Sequence, residues 1–218
     1  MTTLISKYKI YGRTKGRKKK EYNLDQTFVN SIITKDINIK IKDNNILDIG
    51  SGSGENSIYQ SMKFPKSKII ACETFLDGNI NLCHEIFKKN THNILIYNGN
   101  VLELFDTIRK KNIFDSVWIL FPDPWPKKKH NKRRLINDAF FTKLNFKFVF
   151  GGKIIIVTDS ISYFISILNS VYKSKIFRWK NDKPKDWQCS NTDLIQTKYY
   201  QKSINYNRKS MIIILSKI

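Results

Sequence analysis

The sequence predicts an α/β protein, a single domain with a mostly parallel seven-stranded sheet, an antiparallel edge and helices on both faces. Two observations carry this prediction. Short apolar runs alternate with helical patterns between residues 46 and 174, and two later apolar runs are separated by a polar loop. The 218 residues are 41% hydrophobic, which is enough for one complete core and makes one domain the natural count.

The predicted elements follow in chain order. A helix over residues 22–33 precedes the sheet and covers it. The five parallel strands are predicted over residues 46–49, 68–72, 94–97, 116–121 and 153–157. Helices are predicted from residues 55 and 101, over residues 133–148, and from residue 161, where Ser160 is a candidate N-cap. Two late strands over residues 175–179 and 210–216 form the antiparallel edge pair.

The first twenty residues differ from the rest of the chain. They contain the runs Tyr11-Gly12-Arg13 and Gly16-Arg17-Lys18-Lys19-Lys20, with little apolar periodicity. This composition predicts a flexible basic arm over residues 1–20 that orders on nucleic acid, and assigns residues 21–218 to the folded domain.

The chain is strongly basic, with 39 Lys and Arg against 18 Asp and Glu and a net charge of +21. A polyanionic partner is the leading expectation. The chain is also rich in Lys, Asn and Ile, so a biased coding sequence is a competing source of part of this charge. Only seven residues are Arg, yet four of them fall in two short segments, Arg13 with Arg17 and Arg133 with Arg134. Because the planar guanidinium suits phosphate, these four are the more informative charges.

Several classes of protein are disfavoured. Cys72, Cys83 and Cys189 are odd in number and have no metal-ligand spacing, so neither a disulfide framework nor a metal site is expected. No apolar run approaches the length of a membrane span, and the first residues contain no signal-peptide pattern. We therefore expect a cytoplasmic protein without a membrane partner, as a monomer or homodimer with no obligatory partner subunit.

The most distinctive stretch is FPDPWPKKKHNKRR, over residues 121–134. An apolar strand leads into it, and Pro122, Pro124 and Pro126 prevent the strand from continuing. Asp123 and Trp125 are therefore expected on a rigid turn at the carboxyl end of a strand, where open α/β sheets bind ligands. Six of the eight residues from Lys127 to Arg134 are Lys or Arg, a pattern typical of phosphate binding.

A glycine turn follows the first strand, as the sequence DIGSGSG from Asp48 to Gly54. Gly50 and Gly52 would let the backbone approach a ligand closely, and Glu73, at the end of the second strand, is placed to accept the hydroxyls of a ribose. The dinucleotide spacing G-x-G-x-x-G is absent because Glu55 stands at its last glycine position. S-adenosyl-L-methionine fits this pattern better, with its adenine near Asn100 and its cationic methionine end near Asp48.

These motifs resemble the class I methyltransferases, which have a Rossmann-like fold, and within them the bacterial tRNA (guanine-N7-)-methyltransferases. The resemblance covers nearly the whole chain, and FPDPWPKKKHNKRR is its most specific part. Thr197-Lys198-Tyr199 resembles the start of the family motif T-K-[YF]-E. The resemblance implies transfer of a methyl group from S-adenosyl-L-methionine to N7 of guanosine 46 in tRNA.

The resemblance also implies roles for individual residues. Those at cofactor-contacting positions are Asp48, Glu73, Asn100 and Asp123, beside the glycines Gly50 and Gly52. Those at substrate positions are Lys127, Asp159, Thr197, Lys198, Tyr199 and Tyr200. The remaining basic candidates for contact with RNA are Lys128, Lys129, Lys132, Arg133, Arg134, Arg13 and Arg17.

Three positions depart from the family pattern. Asp48 replaces a commoner Glu, Asn100 stands where an Asp is usual, and Tyr200 stands where the third motif has Glu. A neutral amide at Asn100 is a weaker acceptor for an adenine amino group than a carboxylate.

Asp123 is the candidate catalytic residue. Guanine N7 has a lone pair and no proton, so attack on a sulfonium methyl needs positioning and not a general base. The reaction also moves positive charge onto the purine, and a carboxylate at Asp123 or Asp159 would favour that shift. Either side chain is alternatively an acceptor for the guanine N1 and N2 hydrogens.

Three rival functions are considered. A methyltransferase acting on exocyclic base nitrogens is expected to show [DNS]-P-P-[YFW], whereas here one proline separates Asp123 from Trp125. A non-catalytic RNA-binding relic of the fold is supported by Asn100 and Tyr200. A dehydrogenase is disfavoured by the spacing of the glycines.

Overall fold

The computed structural model describes residues 7–12, 24–34, 44–188, 195 and 197–218. These residues form one eight-stranded sheet flanked by helices. The strands are β1 (Ile33–Thr34), β2 (Asn45–Ile49), β3 (Lys68–Glu73), β4 (Ile94–Asn98), β5 (Phe114–Leu120), β6 (Phe148–Thr158), β7 (Phe177–Trp179) and β8 (Met211–Lys217). The helices are α1 (Gln26–Ile32), α2 (Glu55–Lys63), α3 (Leu76–Lys89), α4 (Val101–Thr107), α5 (Asp138–Lys147), α6 (Ile161–Ser174), α7 (Pro184–Trp187) and α8 (Lys198–Asn205), with a 3-10 helix at Lys128–Arg133.

The strand order is β1-β4-β3-β2-β5-β6-β8-β7. All pairs from β1 to β6 are parallel, whereas β8 lies antiparallel to both β6 and β7. The predicted α/β class, parallel sheet and antiparallel edge are confirmed. The predicted count of seven strands is wrong, since the two residues of β1 pair with β4 and add an eighth strand. Two residues are too few to give a periodic signal.

The segment predicted as one helix over residues 133–148 is divided in the structure. The 3-10 helix ends at Arg133, and α5 begins at Asp138 with the Asn137 side chain as its N-cap, accepting from the Phe140 N–H. Between them the chain is extended, and the Ile136 N–H donates to the buried Tyr163 hydroxyl. A tertiary partner has therefore replaced a helical hydrogen bond that local sequence alone favours.

Two apolar layers enclose the sheet. The larger packs Phe141, Leu144 and Ile167 from α5 and α6 against one face, and the smaller packs α2 and α3 against the other. All five residues of β2 are buried, as expected for the central strand of a parallel sheet covered on both sides. No helix in the described part of the chain has the length and apolar character needed to cross a bilayer.

The strand order places the candidate residues together. The chain leaves β2 toward β3 and β4 on one side, and β5 and β6 lie on its other side. The carboxyl ends of these parallel strands meet at one edge, and the reversal of direction beside β2 opens the crevice in which such sheets bind ligands. The loops after β2, β3, β4 and β5 therefore converge at this edge.

The core depends on aromatic packing between α5 and the sheet. Phe141 is fully buried, with its ring centroid 5.4 Å from that of Phe177 and 5.8 Å from that of Phe140. We expect Phe141→Ala to lower the free energy of unfolding by about 3–5 kcal/mol because it leaves a cavity.

The matched control is Phe146→Ala on the same helix, whose side chain is 50% exposed and should cost less than about 1 kcal/mol. Urea unfolding followed by circular dichroism measures both values. Equal losses for the two variants would contradict the assignment of Phe141 to the core.

Candidate active site

A cavity of about 610 Å³ opens at the carboxyl edge of the sheet. Its size lies within the range typical of small-molecule sites. The loops after four parallel strands contribute to its wall, together with residues of the N-terminal arm. Residues that line it include Gly50, Gly52, Glu73, Phe75, Asn100, Val101, Phe121, Asp123 and Trp125.

The glycine turn after β2 forms one side of the cavity. Gly50 and Gly52 have φ angles of 70° and 56°, in the left-handed region that other residues adopt at a cost. The Gly50 N–H donates to the Cys72 carbonyl at 2.8 Å, which fixes the turn against β3. A Cβ on Gly78 of α3 would lie 2.4 Å from the Gly52 carbonyl oxygen, so helix and turn are in direct backbone contact.

Glu73 joins two loops of the cavity wall. Its Oε2 accepts from the Gly52 N–H at 3.0 Å, and its Oε1 accepts from the Thr74 and Phe75 N–H groups at 2.7 Å and 2.9 Å. Hydrogen bonds to a carboxylate are among the stronger ones in proteins. The side chain predicted to bind a ribose therefore also holds the glycine turn beside the loop that leads into α3.

Asp48 is placed differently from the prediction. Its side chain is buried behind the turn, where Oδ1 accepts from Asn56 Nδ2 at 3.0 Å and Oδ2 from Ser57 Oγ at 2.6 Å. Among the described residues that line the cavity, Asp48 does not appear. Burial raises the pKa of Asp48 to about 6, against the opposing effect of these two hydrogen bonds. This geometry supports a positioning role for Asp48 toward α2 and not a direct ligand contact.

Asn100 lines the cavity and also begins α4. Its Oδ1 accepts from the Leu102 N–H at 2.9 Å, which makes it the N-cap of that helix. Asn and Asp are equally good N-caps. The amide that departs from the family pattern is therefore compatible with the local structure.

The turn over residues 121–126 is strained at two positions. Phe121 and Trp125 have φ angles of 51° and 42°, which are uncommon for bulky residues and cost on the order of 1–3 kcal/mol each. Two hydrogen bonds stabilise the turn: the Phe121 N–H donates to the Val157 carbonyl at 2.8 Å, and Arg134 Nε donates to the Pro124 carbonyl at 2.9 Å. Asp123 lies between the two strained residues.

Arg134 does not match its predicted role in RNA binding. It is only 5% exposed, and besides Pro124 its guanidinium donates to the backbone carbonyl and hydroxyl of Ser162 and lies over the Tyr163 ring. All of these contacts are internal, and they connect the turn over residues 121–126 with α6. Arg134 therefore stabilises the turn, and it borders the cavity without being an exposed surface charge.

Arg133 lies at the mouth of the cavity. Its guanidinium carbon is 4.9 Å from the centroid of the Trp125 ring and 5.4 Å from that of Tyr11. The Trp125 ring also meets His130 edge to face, with centroids 5.8 Å apart. Trp125 therefore packs within the turn and its neighbours.

The carboxyl of Asp123 faces this mouth. Partial removal from water by the surrounding chain raises the pKa of Asp123 above its ordinary value. A Cβ on Gly12 would lie 3.4 Å from Asp123 Oδ2, so the arm approaches the carboxylate closely. The candidate catalytic residue is thus exposed at the cavity mouth, with its carboxyl close to its own turn and to the arm.

Residues 7–12 of the predicted arm contact the domain. The Tyr8 hydroxyl donates to Asp106 Oδ2 at 2.6 Å, and Lys143 pairs with the other oxygen of Asp106. This anchor places Tyr11 over Arg133 at the cavity. Arg13 and Arg17, predicted to bind RNA, lie outside the described residues, as does Cys189.

Most of the predicted basic contacts are exposed. Lys127, Lys128 and Lys129 lie on or beside the 3-10 helix with exposed side chains, and Lys132 lines the cavity. Within the described part of the chain, none of these four lysines is in an ion pair. They form a basic surface next to the cavity mouth.

The third motif comprises residues 197–200. Some of its residues stabilise the local structure and others line the cavity. Thr197 is buried and N-caps α8 by accepting from the Tyr200 N–H at 3.1 Å. Lys198 pairs with Glu55 at 3.1 Å. Tyr199 lines the cavity, and the Tyr200 ring lies 6.4 Å from that of Phe121. The aromatic residue in place of the family's Glu therefore packs on the strained turn.

Asp159 is in an ion pair, whereas Asp123 lines the cavity. Asp159 Oδ2 accepts from Arg208 Nη1 at 3.0 Å in a salt bridge, and Asp159 is not among the described residues that line the cavity. Of the two carboxylates named as candidates for the purine, this placement favours Asp123, and contact of Asp159 with the substrate stays a prediction.

Several cavity residues are not among the predicted site residues, although Tyr11 and Gly12 belong to the predicted arm. They are the arm residues Lys9, Ile10, Tyr11 and Gly12, with Phe75, Leu102, Leu135, Asn137 and Lys202. Each comes from a segment between recognised motifs, except Lys202, which follows Lys198 by one helical turn.

The other chemistry available at the site is limited. Cys72 lines the cavity, but burial raises the pKa of its thiol well above the usual value, which disfavours a thiolate nucleophile. Among the described residues, no group of three or more His, Cys, Asp or Glu side chains is placed to hold a metal ion.

Comparison with known proteins agrees with this geometry. Residues 42–212 match the family described as "Putative methyltransferase". The chain belongs to this methyltransferase family. It is 35% identical over 163 residues to the tRNA (guanine-N(7)-)-methyltransferase of Wolbachia pipientis wMel, covering 75% of this chain and 70% of that one.

Other known proteins extend the comparison. The tRNA (guanine-N(7)-)-methyltransferase of Jannaschia sp. (strain CCS1) is 30% identical, over 74% of this chain and 68% of that one. A solved structure of an antibiotic related methyltransferase superposes with a TM-score of 0.56 at 17% identity, covering 92% of this chain and 98% of the other, and shows the same fold. The predicted Rossmann-like methyltransferase fold is confirmed.

The buried carboxyl of Asp48 gives a pH-dependent prediction. Because its pKa is about 6 in the folded protein against 3.8 ordinarily, ionisation disfavours the folded state as the pH rises from about 4 to about 6. Asp48→Asn cannot ionise, and its amide can still accept from Asn56. We compare the free energy of unfolding of Asp48→Asn with that of the natural protein at each pH. This difference should shift in favour of the variant by on the order of 3 kcal/mol between pH 4 and pH 7.

Urea unfolding at a series of pH values measures this difference. Asp182→Asn, at an exposed loop position, is the matched control and should give no such trend. A stability difference for Asp48→Asn that stays constant across this pH range would overturn the account.

Proposed function

We propose that this protein is a tRNA (guanine-N7-)-methyltransferase that transfers a methyl group from S-adenosyl-L-methionine to N7 of guanosine 46. The observation that carries the proposal is one cavity that unites the glycine turn, Glu73, Asn100 and Asp123. Its relatives bear the name of this activity. We further propose that it acts in the cytoplasm, as a monomer or homodimer without an obligatory partner subunit.

The cavity residues fit S-adenosyl-L-methionine. Glu73 supplies carboxylate oxygens that can accept from ribose hydroxyls, and the glycine turn permits close approach of backbone to ligand. Val101, Leu102 and Ile119 provide apolar surface for a flat purine. The buried negative charge of Asp48, behind the turn, favours a cationic ligand end in the adjoining part of the cavity.

The cofactor, when bound, supplies an activated methyl group on a sulfonium. The chain's own residues orient the guanine and accommodate the change in charge. Asp123, held at the mouth between two strained residues, places a carboxylate where positive charge develops on the purine. No proton leaves N7, so Asp123 acts through its charge and its hydrogen-bond acceptors and not as a base.

The exposed lysines beside the mouth fit the phosphates of the RNA. Lys127, Lys128 and Lys129 are exposed on or beside one short helix, without an ion pair to any described residue, and Lys132 continues this surface to the cavity. Freeing the target guanosine from its tertiary contacts costs a few kcal/mol, which contacts of this kind can offset.

A non-catalytic RNA-binding relic of the fold is the alternative function. Asn100 and Tyr200, the two departures that favoured it, each have a place in the site. Asn100 caps α4 beside the cavity, and Tyr200 packs on Phe121 of the catalytic turn.

Transfer of label tests the proposed activity directly. The protein is incubated with methyl-labelled S-adenosyl-L-methionine and unmodified tRNA, and the RNA is then digested to nucleosides. We expect the label in 7-methylguanosine. Label on adenosine or cytidine, or no label on the RNA, would contradict the proposal.

Replacing Asp123 separates catalysis from binding. We expect Asp123→Ala to lower kcat by about 100-fold or more, because it removes a preorganised charge at the reacting base. The Kd for tRNA, measured by filter binding, should change by less than about threefold because phosphate contacts dominate affinity.

The control is Asp182→Ala, which removes an exposed carboxylate in the loop before α7 and should leave both quantities unchanged. Turnover at the natural rate in Asp123→Ala would remove the role assigned to this residue.

A further inference from the structure

A second groove adjoins the cavity along α8. It has a volume of about 670 Å³ and is lined by Glu55, Lys198, Gln201, Lys202, Asn205 and Tyr206. Lys202 also lines the cofactor cavity, so the two spaces share one wall. A bound polymer chain that leaves the cavity past Lys202 therefore enters this groove.

The outer face of α8 carries alternating aromatic and basic side chains. Tyr199 and Lys202 lie on α8 and Tyr206 is its C-cap, and their spacings of three and four residues bring the three side chains to one side. Tyr199 is 60% exposed and Tyr206 is 62% exposed, which is unusual for two large rings on one short element. The helix itself, KYYQKSIN, contains two lysines and no carboxylate.

Arg208 and Asp159 support the ring of Tyr206. The guanidinium of Arg208 lies 5.3 Å from the centroid of that ring, and Arg208 is in turn fixed by the 3.0 Å salt bridge to Asp159. An ordered, exposed ring presents a stacking surface at low entropic cost. Asp159, predicted to act on the substrate, thus contributes to the support of Tyr206.

We propose that this groove binds a single-stranded nucleotide of tRNA adjacent to the methylated guanosine. Tyr206 stacks on its base, and Lys202 contacts the phosphate between this nucleotide and the one in the cavity. Exposed aromatic rings next to basic side chains are the usual platform for single-stranded RNA. Asn205 offers an amide to the base edge or ribose.

The proposal deepens the proposed function and rests on it for the identity of the RNA. The groove's chemistry favours RNA over a protein partner. Among the described residues its lining contains two lysines and no apolar aliphatic residue, in a chain of net charge +21. Glu55, the one carboxylate that lines the groove within the described part of the chain, is paired with Lys198.

Replacement of Tyr206 tests the stacking. We expect Tyr206→Ala to raise the Kd for tRNA about 5- to 150-fold, the loss typical of one stacked base, and to raise the KM for tRNA in parallel. The KM for S-adenosyl-L-methionine and kcat at saturating tRNA should not change. Tyr206→Phe keeps the ring and should bind tRNA as the natural protein does.

The matched control is Tyr172→Ala, which removes an 84% exposed tyrosine on α6. It should leave tRNA binding unchanged. Thermal melting of each variant shows whether its fold is retained.

Replacement of Lys202 tests the phosphate contact. The slope of log Kd against log salt concentration should fall by about 0.7 to 0.9 in Lys202→Gln, as expected for one lost phosphate contact. Lys173→Gln on α6 is the control and should keep the natural slope.

The outcomes separate this proposal from the activity. If folded Tyr206→Ala binds tRNA as tightly as the natural protein, or if Tyr206→Phe is as weak as Tyr206→Ala, the stacking is refuted. If the natural protein forms no 7-methylguanosine, the proposed activity fails instead. The tRNA titrations are performed without cofactor, so they report on the groove in either case.

Discussion

The site depends on one carboxylate that serves two loops. Glu73 ends β3 and gathers three backbone N–H groups, from Gly52 on one side and from Thr74 and Phe75 on the other. Without this link the glycine turn and the loop before α3 have no common acceptor. Glu73 therefore connects these two parts of the cavity wall.

The other side of the cavity is held in a different way. The turn around Asp123 carries strain at Phe121 and Trp125, and contacts from three directions maintain it: β6 through Val157, α6 through Arg134, and α8 through Tyr200. Strain of this kind persists only where the surrounding structure determines it. The backbone that carries Asp123, the proposed catalytic residue, is therefore fixed by the fold itself, and a fixed charge contributes most to catalysis.

A run of basic residues need not have one role. Within residues 127–134, the lysines are exposed, Arg133 lies over two aromatic rings, and Arg134 is buried among backbone acceptors. The net charge of the segment is nevertheless what a polyanion meets at a distance. Counting charges predicted the partner class but not which side chains touch it.

Much of the fold followed from the sequence, because strand and helix periodicity are local properties. The parallel strands, the glycine turn and the placement of Glu73, Asn100 and Asp123 at one edge all depend on where strands end. The failures have long-range causes. The predicted helix over residues 133–148 is interrupted by the hydroxyl of Tyr163, and Asp48 is turned from the cavity by Asn56 and Ser57. No local pattern reveals such partners.

The most direct test of the central claim is the affinity of Glu73→Gln for S-adenosyl-L-methionine, measured by isothermal titration calorimetry. An amide can accept on one side only, so the two loops lose their shared anchor, and the ribose loses an acceptor. We predict an affinity at least about 10-fold lower than that of the natural protein, with Glu85→Gln on α3 unchanged. An unaltered affinity in Glu73→Gln would contradict the account.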